Sequence, residues 1–421
     1  MKPLRLGCIA DDFTGATDLA NNLVRAGMRV VQAIGVPAEG IEGDADAVVV
    51  ALKTRTIAPT DAIAQSLDAL RWLRAHGAGQ VYFKYCSTFD STAHGNIGPV
   101  TEALMEALDT GFTIATPAFP DNGRTVFKGH LFVGDVLLDE SGMQHHPLTP
   151  MTDANLVRVL QAQCRLRVGL VDYRVVGQGP DAIRARFDAL RAQGVGIAIV
   201  DAIANDDLLR LGPALHGMPL VTAASGVAIA LPANFGIAPS NAASALPAAS
   251  GSRAVIAGSC SQATQRQVRA FVQSGGAAFR VDPLEIARGD DVVARVLAGC
   301  APRLADGPVL VYSTADAAGV EAVQQRVGTE RAGAMTEATL AAIARGLVDH
   351  GVRQLVVAGG ETSGACVQAL GITQLAIGPQ IDPGVPWCFA RGERGEPLHV
   401  ALKSGNFGAD DFFGRAFAML A

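Results

Sequence analysis

The residues able to do chemistry fall into a few short clusters of two kinds. Asp11-Asp12-Phe-Thr-Gly15 sets two adjacent carboxylates ahead of a glycine, Arg55 follows Lys53-Thr54, and Lys84 precedes Tyr85-Cys-Ser-Thr-Phe-Asp90-Ser91-Thr92. Two cations and several carboxylates suit a small hydroxylated anion, whose carboxylate the cations hold and whose hydroxyls the acids accept. The second kind is glycine-rich: Gly258-Ser259-Cys-Ser261, Gly359-Gly360-Glu361-Thr362-Ser363-Gly364 and Lys403-Ser-Gly405-Asn-Phe-Gly408. Backbone N–H groups at a helix start, approached without a Cβ in the way, bind phosphate. Gly359 and Gly364 have Walker A spacing, but Ala365 stands at the lysine position, and the run is not G-x-G-x-x-G. Each cluster also has a plainer reading. One aspartate suffices to cap a helix, Arg55 and Lys84 taken singly are solvated strand ends, and turns from strand to helix use glycine for geometry alone.

Two histidine features are weaker. His130, in Lys128-Gly-His-Leu-Phe-Val133, reads equally as a hydrogen-bonded turn residue or a substrate contact. His145-His146 is not a metal pair by pattern: adjacent side chains diverge on a strand, and no third ligand stands at a recognisable spacing.

The elements that must carry these clusters alternate between strand and helix. Leu4 to Ala10 reads as a strand ending at the two aspartates, followed by a helix with Ala16, Leu19, Ala20, Leu23 and Val24 on one face. Ala47 to Leu52 ends near Arg55, and Val81 to Tyr85 passes through Lys84. Open α/β sheets bind ligands at the carboxyl ends of their strands, so these groups are expected along one edge. Residues 117–150 read as a Gly-, Pro- and His-rich hairpin or flap. Further on, the apolar run Leu355 to Ala358 leads into Gly359-Gly360, with Ser363 as the expected N-cap of the next helix. The fold class expected is α/β: two domains, each a mostly parallel sheet flanked by helices, with an active-site cleft between them. The boundaries expected are 1–235 for a substrate domain, 236–252 for an Ala-, Pro- and Ser-rich linker and 253–421 for a nucleotide domain.

Composition narrows the partners. A length of 421 residues exceeds the usual single core, and 49% hydrophobic against 18% charged residues leaves no sign of disorder. A net charge of -6, without basic runs, argues against a nucleic-acid surface and favours small molecules. The absence of any run of about 18 apolar residues argues against a membrane partner. Seven scattered cysteines without a C-x-x-C pair fit a reducing cytoplasm. Oligomeric state is not legible, and a homodimer is carried only as an expectation.

Taken together, Ile9-Ala-Asp-Asp-Phe-Thr-Gly-Ala-Thr-Asp18, Phe83-Lys-Tyr-Cys-Ser-Thr-Phe-Asp-Ser-Thr92 with His94-Gly-Asn-Ile-Gly98, Gly359 to Gly364 and Leu402 to Gly408 resemble the four-carbon acid sugar kinases over essentially the whole chain. Tyr85 to Thr92 and Thr116-Pro-Ala-Phe-Pro120 resemble the family's oxo-tetronate branch. The resemblance implies an N-terminal acid-sugar domain, a C-terminal nucleotide domain, and phosphorylation by ATP of the terminal C4 hydroxyl of a 3-oxo-tetronate. It also implies ATP contacts at Ser259, Gly360, Glu361, Thr362, Ser363 and Gly405, with substrate contacts around Asp11-Asp12, Lys84 and Ser91.

The mechanism expected makes Asp12 or Asp11 the base, with Arg55 and Lys84 on the substrate carboxylate and Asp90, Ser91 and His130 as further substrate contacts. Mg²⁺ would arrive with ATP, its protein ligands not being legible. Lys403 is a candidate to supply the phosphate charge that the lysine-free glycine stretch lacks, and closure of the domains on the ligands is expected. The alternatives are a threonate or erythronate kinase and a non-catalytic nucleotide-gated binding protein. An aspartyl-phosphate phosphatase would need Asp-x-Asp rather than adjacent aspartates.

Overall fold

The computed structural model describes residues 3–38, 40–146, 148–315 and 317–420. The chain divides into two compact units, Met1–Ser244 and Ala245–Ala421.

The first unit contains strands Leu6–Ala10 (β1), Val30–Ile34 (β2), Ala47–Ala51 (β3), Gln80–Lys84 (β4), Thr113–Thr116 (β5), Arg124–Phe127 (β6), His130–Val133 (β7), Val136–Leu137 (β8), Arg167–Val171 (β9), Val195–Val200 (β10) and Leu220–Ala223 (β11). Within this unit the order β2-β3-β1-β4-β11-β5-β10-β9 is parallel throughout. Runs such as Ala-Val-Val-Val-Ala in β3 are apolar at every position because helices cover both faces of a parallel sheet, and β1, β3, β4 and β10 are buried from end to end. Register matters more than order here. Ala10 pairs with Ala51 and with Lys84, Lys84 with Ala223, and Ala223 with Thr116, so five loops leave the sheet side by side.

The helix Phe13–Arg25 buries its expected apolar face, and it buries Thr17, Asp18, Asn21 and Asn22 as well. The reason lies in a distant segment: the 3-10 turn Ser225–Ala230 packs on the polar side, and Asn22 Nδ2 donates to the Ser225 carbonyl at 2.9 Å. The Gly-, Pro- and His-rich stretch forms the small antiparallel sheet β6-β7-β8. Its turn places Lys128 at φ 49 and Gly129 at φ 74, the left-handed pair that suits a two-residue hairpin. The carboxylate of buried Asp201 accepts from the amides of Lys128 (2.6 Å), Gly129 (2.8 Å) and Tyr173 (2.8 Å), which ties the hairpin to the end of β10.

The second unit contains Ser252–Ala257 (β12), Ala277–Arg280 (β13), Val309–Tyr312 (β14), Val352–Ala358 (β15), Gln374–Asp382 (β16), Val385–Arg391 (β17) and Pro397–Lys403 (β18). The order β13-β14-β12-β15-β18 is parallel, and β17 and β16 continue it antiparallel. One face carries an aromatic core of Phe271, Trp387, Phe412, Phe413 and Phe417, where the Trp387 indole donates to the Ala416 carbonyl at 2.9 Å. Sequence periodicity did not mark β16 or the helices Pro283–Ala287, Val292–Cys300 and Ala317–Val327; the helix ahead of β15 spans Thr329–Asp349. Pro283–Ala287 and Val292–Cys300 are only five and nine residues long, too short to establish a helical period, and alanine and glycine dilute that of Ala317–Val327.

Ser363 does not cap the helix it was expected to start. That helix spans Gly360–Ala369, its N-cap is Gly359, and Ser363 is fully buried in its first turn. The backbone of Gly359 makes the entry by itself at φ 130, ψ 135, a conformation that a side chain resists.

Candidate active site

In the first unit the strand-end loops bring Asp11, Asp12, Arg55, Lys84 and Asp90 into one charged cluster. Arg55 forks onto Asp11, Nε to Oδ2 and Nη2 to Oδ1 both at 2.9 Å, and its Nη2 also reaches Asp12 Oδ1 at 2.6 Å. Lys84 Nζ stands 3.4 Å from Asp12 Oδ1, and Asp90 lies 3.9 Å from Arg55 Nη1. The cations are therefore held by the chain's own carboxylates, an arrangement that a substrate carboxylate would have to enter by exchange. Asn96 sets the Arg55 loop, its Nδ2 donating to the carbonyls of Thr54 (2.7 Å) and Ile57 (2.9 Å).

The two aspartates are not equivalent. Asp12 is the helix cap as well as a site residue: its carboxylate accepts from the Gly15 amide at 3.1 Å and from Thr14 Oγ1 at 3.0 Å. Burial works to raise its pKa, but Arg55 and Lys84, with the two cap bonds, hold it well below the usual carboxylate range. For Asp11 burial prevails over Arg55, and its pKa is raised. Burial likewise works against the Lys84 charge, but Asp12 and Asp11 outweigh it and raise its pKa. Gly15 is what lets Lys84 in: a Cβ on Gly15 would lie 1.8 Å from Lys84 Nζ and 2.1 Å from Asp12 Oδ1.

The remaining substrate candidates are placed differently. Ser91 is buried, and its Oγ accepts from Gln163 Nε2 at 2.8 Å. His130 lies on the tethered hairpin, with Nδ1 2.9 Å from the Lys128 carbonyl and Nε2 3.3 Å from Asn155 Nδ2. It stands at the start of β7, just after the Lys128-Gly129 turn. His146 Nδ1 is engaged with Thr149, and among the described residues no group of three or more His, Cys, Asp or Glu could hold a metal ion.

One carboxylate of the cluster escaped the sequence reading. Asp18, one turn along the helix from Gly15, is buried, and its Oδ2 accepts from Ser225 Oγ. Its Oδ1 is buried without a hydrogen-bond partner among the described residues. Burial pushes Asp18 up to about 6, against the pull of Lys84. Its i+3 spacing from Gly15 was a visible signal, but only the Ser225 contact, some two hundred residues away in sequence, makes it meaningful.

In the second unit the three glycine loops converge. Ala257 pairs with Tyr312 and Ala358, and Ala358 with Lys403, so the loops after β12, β15 and β18 start together. Contact between them is close: a Cβ on Gly258 would lie 2.2 Å from Thr362 Oγ1, and one on Gly405 would lie 2.4 Å from Ser259 Oγ. Ser259 and the Gly359 to Thr362 segment line a cavity of about 580 Å³, and Leu284, Val323 and Leu340 form part of its apolar wall. A polar, glycine-lined rim beside an apolar slot is the form of a small-ligand pocket. Gly360 and Glu361 are exposed at the rim, Thr362 is buried and Ser363 fully so.

Lys403 does not reach out to a ligand, as the sequence had suggested. It is fully buried, and its Nζ lies 3.2 Å from Thr264 Oγ1 and 3.0, 3.1 and 2.9 Å from the carbonyl oxygens of Ser404, Gly405 and Phe407. Burial pushes it down to about 7, opposed by Asp382.

Comparison with known proteins fits each unit separately. Residues 6–231 match a sugar-binding N-terminal domain, and residues 254–413 match a nucleotide-binding C-terminal domain. A Pseudomonas fluorescens protein named 3-oxo-tetronate kinase is 58% identical over 100% of this chain and 98% of its own. The chain belongs to the four-carbon acid sugar kinase family. Another 3-oxo-tetronate kinase, from Burkholderia multivorans, is 59% identical over the same shares of the two chains. Among solved structures, a Salmonella typhimurium LT2 protein, provisionally described as a tRNA synthase, matches with TM-score 0.88 and 44% identity over 98% of each chain. A Haemophilus influenzae protein matches with TM-score 0.81 and 43% identity over 99% of this chain and 100% of that one. In this member of the family no helix among the described residues is long and apolar enough to cross a membrane.

Proposed function

We propose that this protein transfers the γ-phosphoryl group of ATP to the terminal C4 hydroxyl of 3-oxo-tetronate, giving 3-oxo-tetronate 4-phosphate and ADP. The observation that carries the reading is identity of 57–59% over the full chain to relatives that share the name 3-oxo-tetronate kinase. The charged cluster of the first unit and the glycine-rimmed cavity of the second are what such a reaction needs.

Phosphoryl transfer asks the protein for positioning, charge stabilisation and a proton acceptor. The substrate carboxylate competes for Arg55 and Lys84. When Arg55 turns from Asp11 to that carboxylate, Asp11 stays buried and loses the cation that lowers its pKa, so it becomes the better base. Asp12 keeps its cap bonds and the Lys84 contact, and it fixes the lysine. The rim amides and hydroxyls at Ser259, Gly360 to Thr362 and Gly405 receive the phosphates, with the base against Leu284 and Val323. The rim also fits a magnesium ion carried by the nucleotide, because Mg²⁺ keeps most of its waters and needs one or two carboxylates, and Glu361 and Asp282 line the cavity. When bound, that ion neutralises phosphate charge.

The test is incubation with ATP, Mg²⁺ and 3-oxo-tetronate, with the product read by phosphorus and proton NMR. Phosphate on C4 is expected. Equal or faster turnover of threonate or erythronate would move the assignment to those acids, and ATP binding without transfer to any tetronate would remove the kinase reading.

A further inference from the structure

The carbonyl oxygens of Ser404, Gly405 and Phe407 all turn toward one buried ammonium. In a trans peptide the C=O and N–H of one plane point in opposite directions, and no peptide among the described residues is cis. The amides of Gly405, Asn406 and Gly408 therefore point away from Lys403. The Gly405 carbonyl is gripped from further sides, by Ser261 Oγ at 2.5 Å and Thr264 Oγ1 at 2.9 Å. Both come from the start of the helix Gln262–Gln273, where Ser261 is also the N-cap. Gln267 extends the grip, its Nε2 donating to the carbonyls of Phe407 (3.0 Å), Gly408 (2.9 Å) and Ala409 (3.1 Å). A loop with its carbonyls collected inward in this way presents donors outward, and Gly405 abuts Ser259 on the rim of the cavity.

We propose that Lys403 is a positioning residue for the nucleotide's phosphates: it never touches them, but gathers the loop carbonyls so that the amides of Gly405 and Asn406 face the phosphate chain, and it lends that loop its charge from behind. This deepens the reading that the second unit binds ATP and rests on it. It also answers how a glycine stretch without a Walker lysine handles a triphosphate. The lysine is present but lies beneath the loop, where a backbone nest turns the charge of its protonated form into directed hydrogen bonds.

The experiment compares Lys403→Met with the wild-type chain in calorimetric titrations against ATP, ADP and adenosine. The expected result is affinity for ATP and ADP weaker by about tenfold or more, the size of a lost charge-assisted bond, with adenosine affinity unchanged within about twofold. Unchanged ATP affinity overturns the proposal. So does parallel loss of adenosine, because a merely structural lysine would disturb the apolar slot as much as the rim. If Lys403→Met does not fold, Thr264→Val removes one grip on the Gly405 carbonyl and one partner of Nζ, and the same selective loss is expected in smaller measure; its absence overturns the proposal. A wild-type chain that binds neither ATP nor adenosine would instead defeat the nucleotide reading itself.

Discussion

Asp11 and Asp12 are neighbours in sequence, but their surroundings divide the work between them. Asp11→Asn should lower kcat by about a hundredfold or more, the range of a lost general base. Asp12→Asn should chiefly raise the KM for the acid sugar with little change in stability, because asparagine caps a helix as well as aspartate, whereas Asp12→Ala should also cost about 0.5–2 kcal/mol of stability through the lost cap. Steady-state kinetics and thermal melts on these variants check this, and a double Asn variant that turns over near the wild-type rate would end the mechanism. Asp18 gives a pH signature. Its pKa is raised by burial from 3.8 to about 6, so the folded chain binds a proton more tightly than the unfolded one. Stability from this residue is full below the unfolded value and is lost as pH rises through about 6, to the extent of about 3 kcal/mol. Asp18→Asn keeps an acceptor for Ser225 and removes the charge. Melts of this variant should lose less stability than wild type between pH 4 and 8, a span chosen to bracket the transition at about 6. An identical pH slope would show that Asp18 does not titrate as described.

At the scale of elements, both sites are made by strand register and by missing side chains. The first turn of the helix Phe13–Arg25 accepts Lys84 only because Gly15 has no Cβ. Gly15→Ala should displace the lysine from Asp12, leaving a folded chain with strongly impaired use of the acid sugar and an almost unchanged KM for ATP. Gly405→Ala should do the reverse, because its new methyl would meet Ser259. Kinetics with each substrate varied in turn separate the two cases, and a variant that moved both KM values equally would count against separate sites. Much of this level was legible beforehand. The apolar runs of β1, β3, β4 and β15, the charged groups at the ends of the first three and the glycines after the last were read from residue type alone. The helical wall of the cavity was not, because the helices Pro283–Ala287 and Ala317–Val327 are respectively too short and too rich in alanine to show a period, and they pack on the helix Thr329–Asp349.

For the whole molecule, the two units should respond to different ligands. In hydrogen exchange, ATP should protect the loops around Ser259, Gly360 and Gly405, while a tetronate alone should protect those around Asp11, Arg55 and Lys84. Protection of the first unit's loops by ATP alone, with none in the second, would reverse the assignment. The match of residues 6–231 to a sugar-binding domain and 254–413 to a nucleotide-binding domain supports the expected direction.

The sequence by itself determined the α/β class, the clusters that end the strands and the family, because apolar periods and glycine turns are local properties of the chain. Tertiary structure alone decided what each charged residue does. Arg55 is clamped by Asp11 and Asp12, Asp18 is buried by Ser225, His130 bonds back to the Lys128 turn from the start of β7, and Lys403 lies under a loop whose carbonyls surround it. A charge takes its role from the burial and partners around it, and those partners come from parts of the chain that only folding brings together.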